Sequence, residues 1–240
     1  MAQASWRGRV GMILPTKGGA VQELLQILPD GIDVISLLND IRHGTIQEFR
    51  DVMAQYEKQV AELADDGVDL IIPHGTPPFM LLGRDGEQKL IDQWEKKYEI
   101  PIFTSGMNQI AALKALNVEK FVGVGYDFED TRIVSDYFTA AGFTVLEIAD
   151  RPQVPWEDID KMSPEQVYVH AKKAFLRNPE AEGIYIQGSK WRCLEIIDTI
   201  EQDCGVPVVH PVAARCWEIQ KRLTVRAKLS GYGQLLAELP

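Results

Sequence analysis

Only three cysteines occur in 240 residues, and basic side chains number 25 against 35 acidic ones. Cys193, Cys204 and Cys216 are odd in number and lack metal-finger spacing. They offer no disulfide framework or zinc knuckle and suit a reducing cytoplasm. Long apolar runs are missing too: the longest are strand-sized, such as Val68–Ile72, far below the ~20 residues of a membrane span. No apolar stretch precedes Val10, so no signal peptide is expected. The net charge of −10 argues against nucleic acid or an anionic membrane as partner. Neither GxxxxGK[ST], GxGxxG nor HExxH occurs, so no nucleotide cofactor is suggested and no local zinc motif is present.

What is present is ordinary globular composition, 45% apolar, at a length that suits one large domain or two small ones. Short β-branched runs closed by Gly or Pro alternate with longer 3.6-periodic stretches. The predicted strands are Arg9–Leu14, Ile32–Leu38, Val68–Ile72 and Ile102–Phe103, then Phe121–Gly125, Thr144–Ile148, Gly183–Gln187 and Val208–His210. The predicted helices are Ala20–Leu28, Ile46–Asp66, Gly86–Lys97 and Asn108–Leu116, then Asp130–Ala140, Ser163–Leu176, Trp191–Asp203 and Val212–Leu223. The halves correspond element by element. VDLIIPHGTPP (68–78) matches AEGIYIQGSKW (181–191), and EIPIFTSG (99–106) matches GVPVVHPV (205–212). Gly75 and Gly188 stand 113 positions apart, near half the chain and far beyond a solenoid period. The expected architecture is α/β: two pseudo-symmetric lobes of parallel sheet flanked by helices. The first lobe spans 1–117, completed by 212–240, and the second 118–211. Ligands of such sheets sit beyond the carboxyl ends of the strands, which places a site between the lobes.

Those strand ends hold the candidates. His74-Gly75-Thr76-Pro77-Pro78 joins a glycine that permits close approach, the Thr76 hydroxyl, and prolines without N–H groups. Its bland reading is a rigid exposed turn. Gly188-Ser189-Lys190 is its mirror. With a helix starting directly after it, its amides and hydroxyl form an anion site, Ser189 acting as N-cap or ligand donor beside Lys190. Pro15-Thr16-Lys17-Gly18-Gly19 is either a plain turn or one whose amides and Thr16 hydroxyl meet an anion. Of four histidines, His43, His74 and His210 fall at strand ends, spaced 31 and 136 residues, and His170 lies in a helix. They are surface residues, metal ligands or acid/base groups, and whether they hold a metal is left unknown. Tyr126 either donates to a carboxylate or enolate or is a half-buried aromatic. All three cysteines read as structural.

Further strings carry a family likeness: VGMILP (10–15), Gly75-Thr76, GVGYDFED (123–130), EGIYIQGSKWRCLEIID (182–198) and GVPVVHPVAARCWE (205–218). Over nearly its whole length the chain resembles the aspartate/glutamate racemase superfamily, in its arylmalonate decarboxylase and maleate cis–trans isomerase branch. Trp191, Arg192 and Glu195 are similar to a string of the isomerases. The resemblance implies a site between two lobes, with a cysteine at one or both of two mirror-related strand ends. Here those positions are Gly75 and Gly188. A two-thiol racemase or a thiolate isomerase cannot run on them. The decarboxylase pocket maps onto Thr76, Pro77, Tyr126, Gly188 and Ser189, with Pro77 lacking an amide.

The expected function is therefore a cofactor-independent carbon-acid enzyme, foremost a decarboxylase of a small dicarboxylic acid, aryl-substituted or not, working through an enediolate. Thr76, Tyr126 and Ser189 hold the anion, and Arg42 or Lys190 attracts the substrate. Pro15, Thr16, His43, Gly75, Pro77 and Gly188 line the site. His210, ahead of His74, returns the proton, with a rate that follows a group titrating between about pH 6 and 8. The alternatives are an isomerase or hydrolase using the histidines, with or without a metal, and a silent ligand-binding homologue. The expected partner is a small carboxylic acid, and a homo-oligomer is left open.

Overall fold

The computed structural model describes residues 5–16, 20–125, 132–149 and 156–240. Its first half runs β1 (Gly8–Leu14), α1 (Ala20–Ile27), β2 (Ile32–Leu38), α2 (Ile46–Asp51), α3 (Met53–Asp65), β3 (Leu70–Pro73), α4 (Thr76–Met80), α5 (Gly83–Tyr98) and α6 (Ser105–Ala115). The second half runs β4 (Lys120–Val124), α7 (Arg132–Ala140), β5 (Thr144–Ile148), α8 (Pro164–Arg177), β6 (Gly183–Ile186), α9 (Ile197–Cys204), β7 (Val208–Val209), α10 (Pro211–Arg222) and α11 (Gln234–Glu238). All strand pairs are parallel, in the orders β2-β1-β3 and β5-β4-β6-β7. The expected strand at Ile102–Phe103 shrinks to a single parallel bridge, Ile71 to Ile102, which occupies the place that β7 takes in the other sheet. The duplication read from the sequence is thus a duplication of sheet order.

Side-chain alternation along a strand sorts the core. Val10, Met12 and Leu14 of β1, with Leu70 and Ile72 of β3, join a large cluster that continues through β4, β6 and α10. Ile13 and Ile71 point the other way, onto Tyr56, Val60, Leu63 and Phe79. Helix starts follow local sequence. Thr45 with Glu48, and Ser163 with Gln166, form reciprocal capping boxes, and Pro164 opens its helix. Two expectations change. The helix predicted over Ile46–Asp66 is interrupted at Val52, a β-branched residue poorly suited to a helix interior. The helix predicted from Trp191 begins only at Ile197, after a 3₁₀ turn over Leu194–Ile196, because Trp191 and Cys193 turn inward to be buried.

Polar contacts hold the halves together. Glu87 of α5, fully buried, accepts hydrogen bonds from Thr104 Oγ1, Arg84 Nη1 and the Tyr137 hydroxyl of α7, each at 2.5 Å. Helix α10 packs on α1 and α6, and so carries second-half sequence onto first-half helices. At the α1 end, Glu23 accepts from the Leu194 amide at 3.5 Å, while its other carboxylate oxygen is buried without a partner. Burial pushes the Glu23 carboxyl up to about 7, against the Leu194 amide and Arg192 and with help from Glu195.

A carboxyl raised in the folded state binds its proton more tightly there than in the unfolded chain. Its contribution to stability is therefore lost as pH rises from its ordinary value through about 7. Denaturant midpoints of the protein should fall relative to those of Glu23→Gln as pH is raised across that window. A difference independent of pH would show that Glu23 titrates as an ordinary surface carboxyl.

Candidate active site

Strand β3 ends at Pro73, and the chain turns at Gly75, with φ +126°, into the short helix α4. Strand β6 ends at Ile186 and turns at Gly188, with φ +112°. Both angles lie where only glycine is at ease. A Cβ at Gly75 would lie 2.8 Å from Tyr56 Oη and 3.2 Å from Pro15 Cβ, so Pro15 and Gly75 are close-packed. His74, Thr76 and Pro78 are buried. The turn is not the rigid exposed one of the bland reading.

The two turns meet through side chains. His74 Nε2 lies 3.0 Å from Ser189 Oγ, which joins the first-half turn to its mirror. His74 Nδ1 faces Ser105 Oγ at 2.6 Å and Arg215 Nη2 at 2.7 Å. Ser105 opens α6, and its hydroxyl accepts from the Gly75 amide at 3.4 Å. Arg215 lies in α10 and is only 1% exposed. Burial pushes its guanidinium down to about 10. The same burial, and then the Arg215 charge, hold His74 well below the ordinary histidine range.

Other candidates are placed differently. His210, also fully buried, is the N-cap of α10, its Nδ1 accepting from the Val212 amide at 3.3 Å. Burial pushes it down to about 3, the Trp191 backbone opposing and the Arg215 charge adding. Burial and the cap hydrogen bond disfavour its protonated form, so His210 does not fit the expected donor titrating between about pH 6 and 8. The preference over His74 fails because alternation was applied to a residue already past the last paired strand position. Ser189 does not cap a helix, since α9 starts eight residues later. The expected helix-terminal anion site there does not form.

Arg42 is exposed and bound to Asp40 through Nε at 2.9 Å and through Nη2, so its charge is largely answered locally. His43 is exposed, and its amide joins those of Arg42 and Thr45 on the Glu48 carboxylate. That anchored loop docks on β1 through the Ile41 amide and the Pro15 carbonyl at 3.1 Å. His43 therefore does not converge with the two buried histidines. Among the described residues no group of three His, Cys, Asp or Glu side chains is arranged to hold a metal. Lys190 is half-buried, and burial lowers its pKa against the pull of Asp160. Thr16 and Pro77 are half-buried at their turns. Tyr126 lies outside the described residues, as do Lys17, Gly18 and Gly19. Burial raises all three thiols, Cys216 to about 12.

Ser105 and Arg215 were not among the sequence candidates. The available signals were a Thr-Ser-Gly helix start after Phe103 and an arginine inside the apolar string PVAARCW.

The sequence model of a family described as arylmalonate decarboxylase matches residues 10–236. The chain belongs to the arylmalonate decarboxylase family. No curated protein matches it in sequence. Among solved structures it is similar to the maleate isomerase Iso of Pseudomonas putida S16, with TM-score 0.87 and 19% identity over 97% of this chain and 99% of that one. It is similar to unliganded arylmalonate decarboxylase, with TM-score 0.83 and 19% identity over 96% and 99%. It is also similar to the Nocardia farcinica maleate cis–trans isomerase bound to TRIS, with TM-score 0.83 and 20% identity over 96% and 98%. These likenesses establish the fold, two parallel sheets flanked by helices. Within this family fold, no helix among the described residues is long and apolar enough to cross a membrane.

Two substitutions separate the histidines. His210→Ala removes a helix cap and should cost about 1 kcal/mol in stability, the usual scale for a lost cap, with catalysis spared in the folded fraction. His74→Ala removes the link between the turns and leaves the buried Arg215 guanidinium without its imidazole partner, so it should cost more stability than the lost cap and abolish most turnover of the folded fraction. Turnover lost in folded His210→Ala and kept in folded His74→Ala would return His210 to the site.

Proposed function

We propose that the chain is a cofactor-independent decarboxylase of a small malonate-type dicarboxylic acid. One observation carries the reading: the His74–Ser189 hydrogen bond joins the two glycine turns at the strand ends of opposite lobes. In an arylmalonate decarboxylase fold, that is where a substrate carbon would lie.

The chemistry needs few parts. One substrate carboxylate leaves as CO₂ as its C–C bond breaks, and the electron pair delocalises onto the remaining carboxylate as an enediolate. Hydroxyl donors aimed at those oxygens lower the barrier. Thr76 stands at the first turn and Ser189 at the second, and both are 8% exposed, so each is shielded from bulk water. The carbanion then takes the Ser189 hydroxyl proton. The alkoxide left behind accepts from His74 Nε2 and is reprotonated by water as product leaves. An unaided serine is a poor acid; His74 supplies the stabilisation it lacks.

The maleate isomerase route is less well supported. One solved structure of the Nocardia enzyme holds a covalently bound succinylcysteine. By the resemblance the family cysteine positions are Gly75 and Gly188 here, and burial raises the pKa of Cys193, Cys204 and Cys216, which disfavours their thiolate forms. A serine-hydrolase reading needs an acid on His74 Nδ1, where the neutral Ser105 hydroxyl stands at 2.6 Å with the Arg215 cation against the ring.

Phenylmalonate, methylmalonate and maleate offered in D₂O test the proposal. CO₂ release from a malonate with one deuterium at the α-carbon is expected, insensitive to thiol alkylation. Ser189→Ala should lower kcat by roughly 10²–10³, the cost of losing an oxyanion donor. Isomerised maleate without CO₂ from either malonate would overturn the reading.

A further inference from the structure

We infer that Arg215 is a specificity-determining residue whose buried charge, unpaired with any carboxylate among the described residues, selects doubly charged anions at the glycine turns. The inference deepens the proposed reaction and rests on the ligand lying against Ser189. Charge placement supports it, whichever ring nitrogen of His74 carries the proton.

Among the described residues Arg215 is the one lysine or arginine that is buried. Burial lowers its guanidinium to about 10, so it stays charged at neutral pH. None of the ion pairs among the described residues includes it. Its Nη2 rests across the His74 ring, 2.7 Å from Nδ1 and 3.3 Å from Nε2, and its Nη1 is buried without a hydrogen bond. Acids on and beside the surrounding helices are committed elsewhere. Glu218, three residues along α10, pairs with Arg222 at 2.8 Å. Glu87 of α5 accepts from Arg84, Thr104 and Tyr137. Glu23 of α1 holds its proton up to about pH 7. The face of α6 that carries Ser105 continues with Asn108, a neutral amide.

The charge reaches the second turn. Arg215 Nη2 and Ser189 Oγ both lie within 3.3 Å of His74 Nε2, so a single imidazole separates cation from serine. Where water is shielded out, attraction over that distance is strong. Arg215 is 1% exposed and so acts through space, without touching the ligand. A neutral amide or ester beside Ser189 gains nothing from it, whereas each carboxylate does. Substrate and enediolate gain alike, so Arg215 governs binding more than the chemical step. The cations of the strand-end loops are answered locally, Arg42 by Asp40 and Lys190 by Asp160.

Titration calorimetry at pH 7 with succinate and maleate, each against its monoamide, tests the charge. Neither is a malonate, so neither is consumed by the proposed reaction. The wild type should bind at least one dianion ~10-fold or more tighter than its monoamide, the scale of one added charge roughly 8 Å from a cation in a protein interior. Arg215→Met removes the charge at similar volume, a change that buried ions usually tolerate, and most of that ratio should vanish. Arg215→Lys should retain it. No preference in the wild type, whether both forms bind or neither does, overturns the inference, as does a ratio unchanged in Arg215→Met. If Arg215→Met does not fold, the wild-type ratio and Arg215→Gln decide. Charge selection as expected in a protein that releases no CO₂ from malonates would uphold the role of Arg215 and remove the decarboxylase reading. CO₂ release without charge selection would do the reverse.

Discussion

A cation buried against an imidazole, with no carboxylate paired to it among the described residues, sets the terms for the rest of the seam. Placing a guanidinium out of water is costly, and proteins usually offset that cost with an acid. Here the guanidinium of Arg215 meets His74 and leaves one nitrogen without a partner. Burial and that charge disfavour the protonated form of His74, whose ring nitrogens face Ser105 and Ser189. Arg215, His74 and Ser189 thus form one chain of polar contacts from α10 to the second glycine turn.

The glycine turns make this chain of contacts reachable. Gly75 and Gly188 adopt φ +126° and +112°, which a cysteine would enter only with strain. At Gly75 the space for a Cβ is also taken, by Tyr56 and Pro15. The thiols of the wider superfamily have therefore not merely been exchanged for hydrogen atoms. The backbone takes a course that brings His74 and Ser189 together and leaves no place for a side chain at the turn itself. In the proposed reaction the work falls to side chains beside the glycines, Thr76 and Ser189, with His74 bonded to Ser189.

How much of this was legible in the sequence follows from which forces are local. The strand ends of the parallel sheets and the duplication depend on short-range pattern and turn chemistry, and they stand close to what was expected. The delayed start of α9 was hidden, because Trp191 and Cys193 obey burial and not helix propensity. Arg215 was hidden for the same reason: an arginine on a helix reads as solvated until α10 is packed on α1 and α6. The role of His210 was partly visible. Its counterpart under the repeat is Thr104, which caps α6 by accepting from Met107 just as His210 caps α10. A histidine aligned with a capping threonine is a cap before it is a catalyst.

The repeat also shows where symmetry was given up. His74 aligns with Gln187, and Gln109 with Arg215, so each polar pair holds one ionisable and one neutral member. Gln187 is buried against Gly125, and among the described residues neither of its side-chain polar atoms has a partner, whereas His74 has three. The backbone is close to two-fold, but the charge is not. In the proposed reaction His74 backs Ser189, and the residue that aligns with it, preceding the other glycine turn, is the neutral amide Gln187. A racemase needs an acid and a base on opposite faces of one carbon. Two turns backed so unequally suit the one-sided proton delivery of the proposed decarboxylase better than two-sided chemistry.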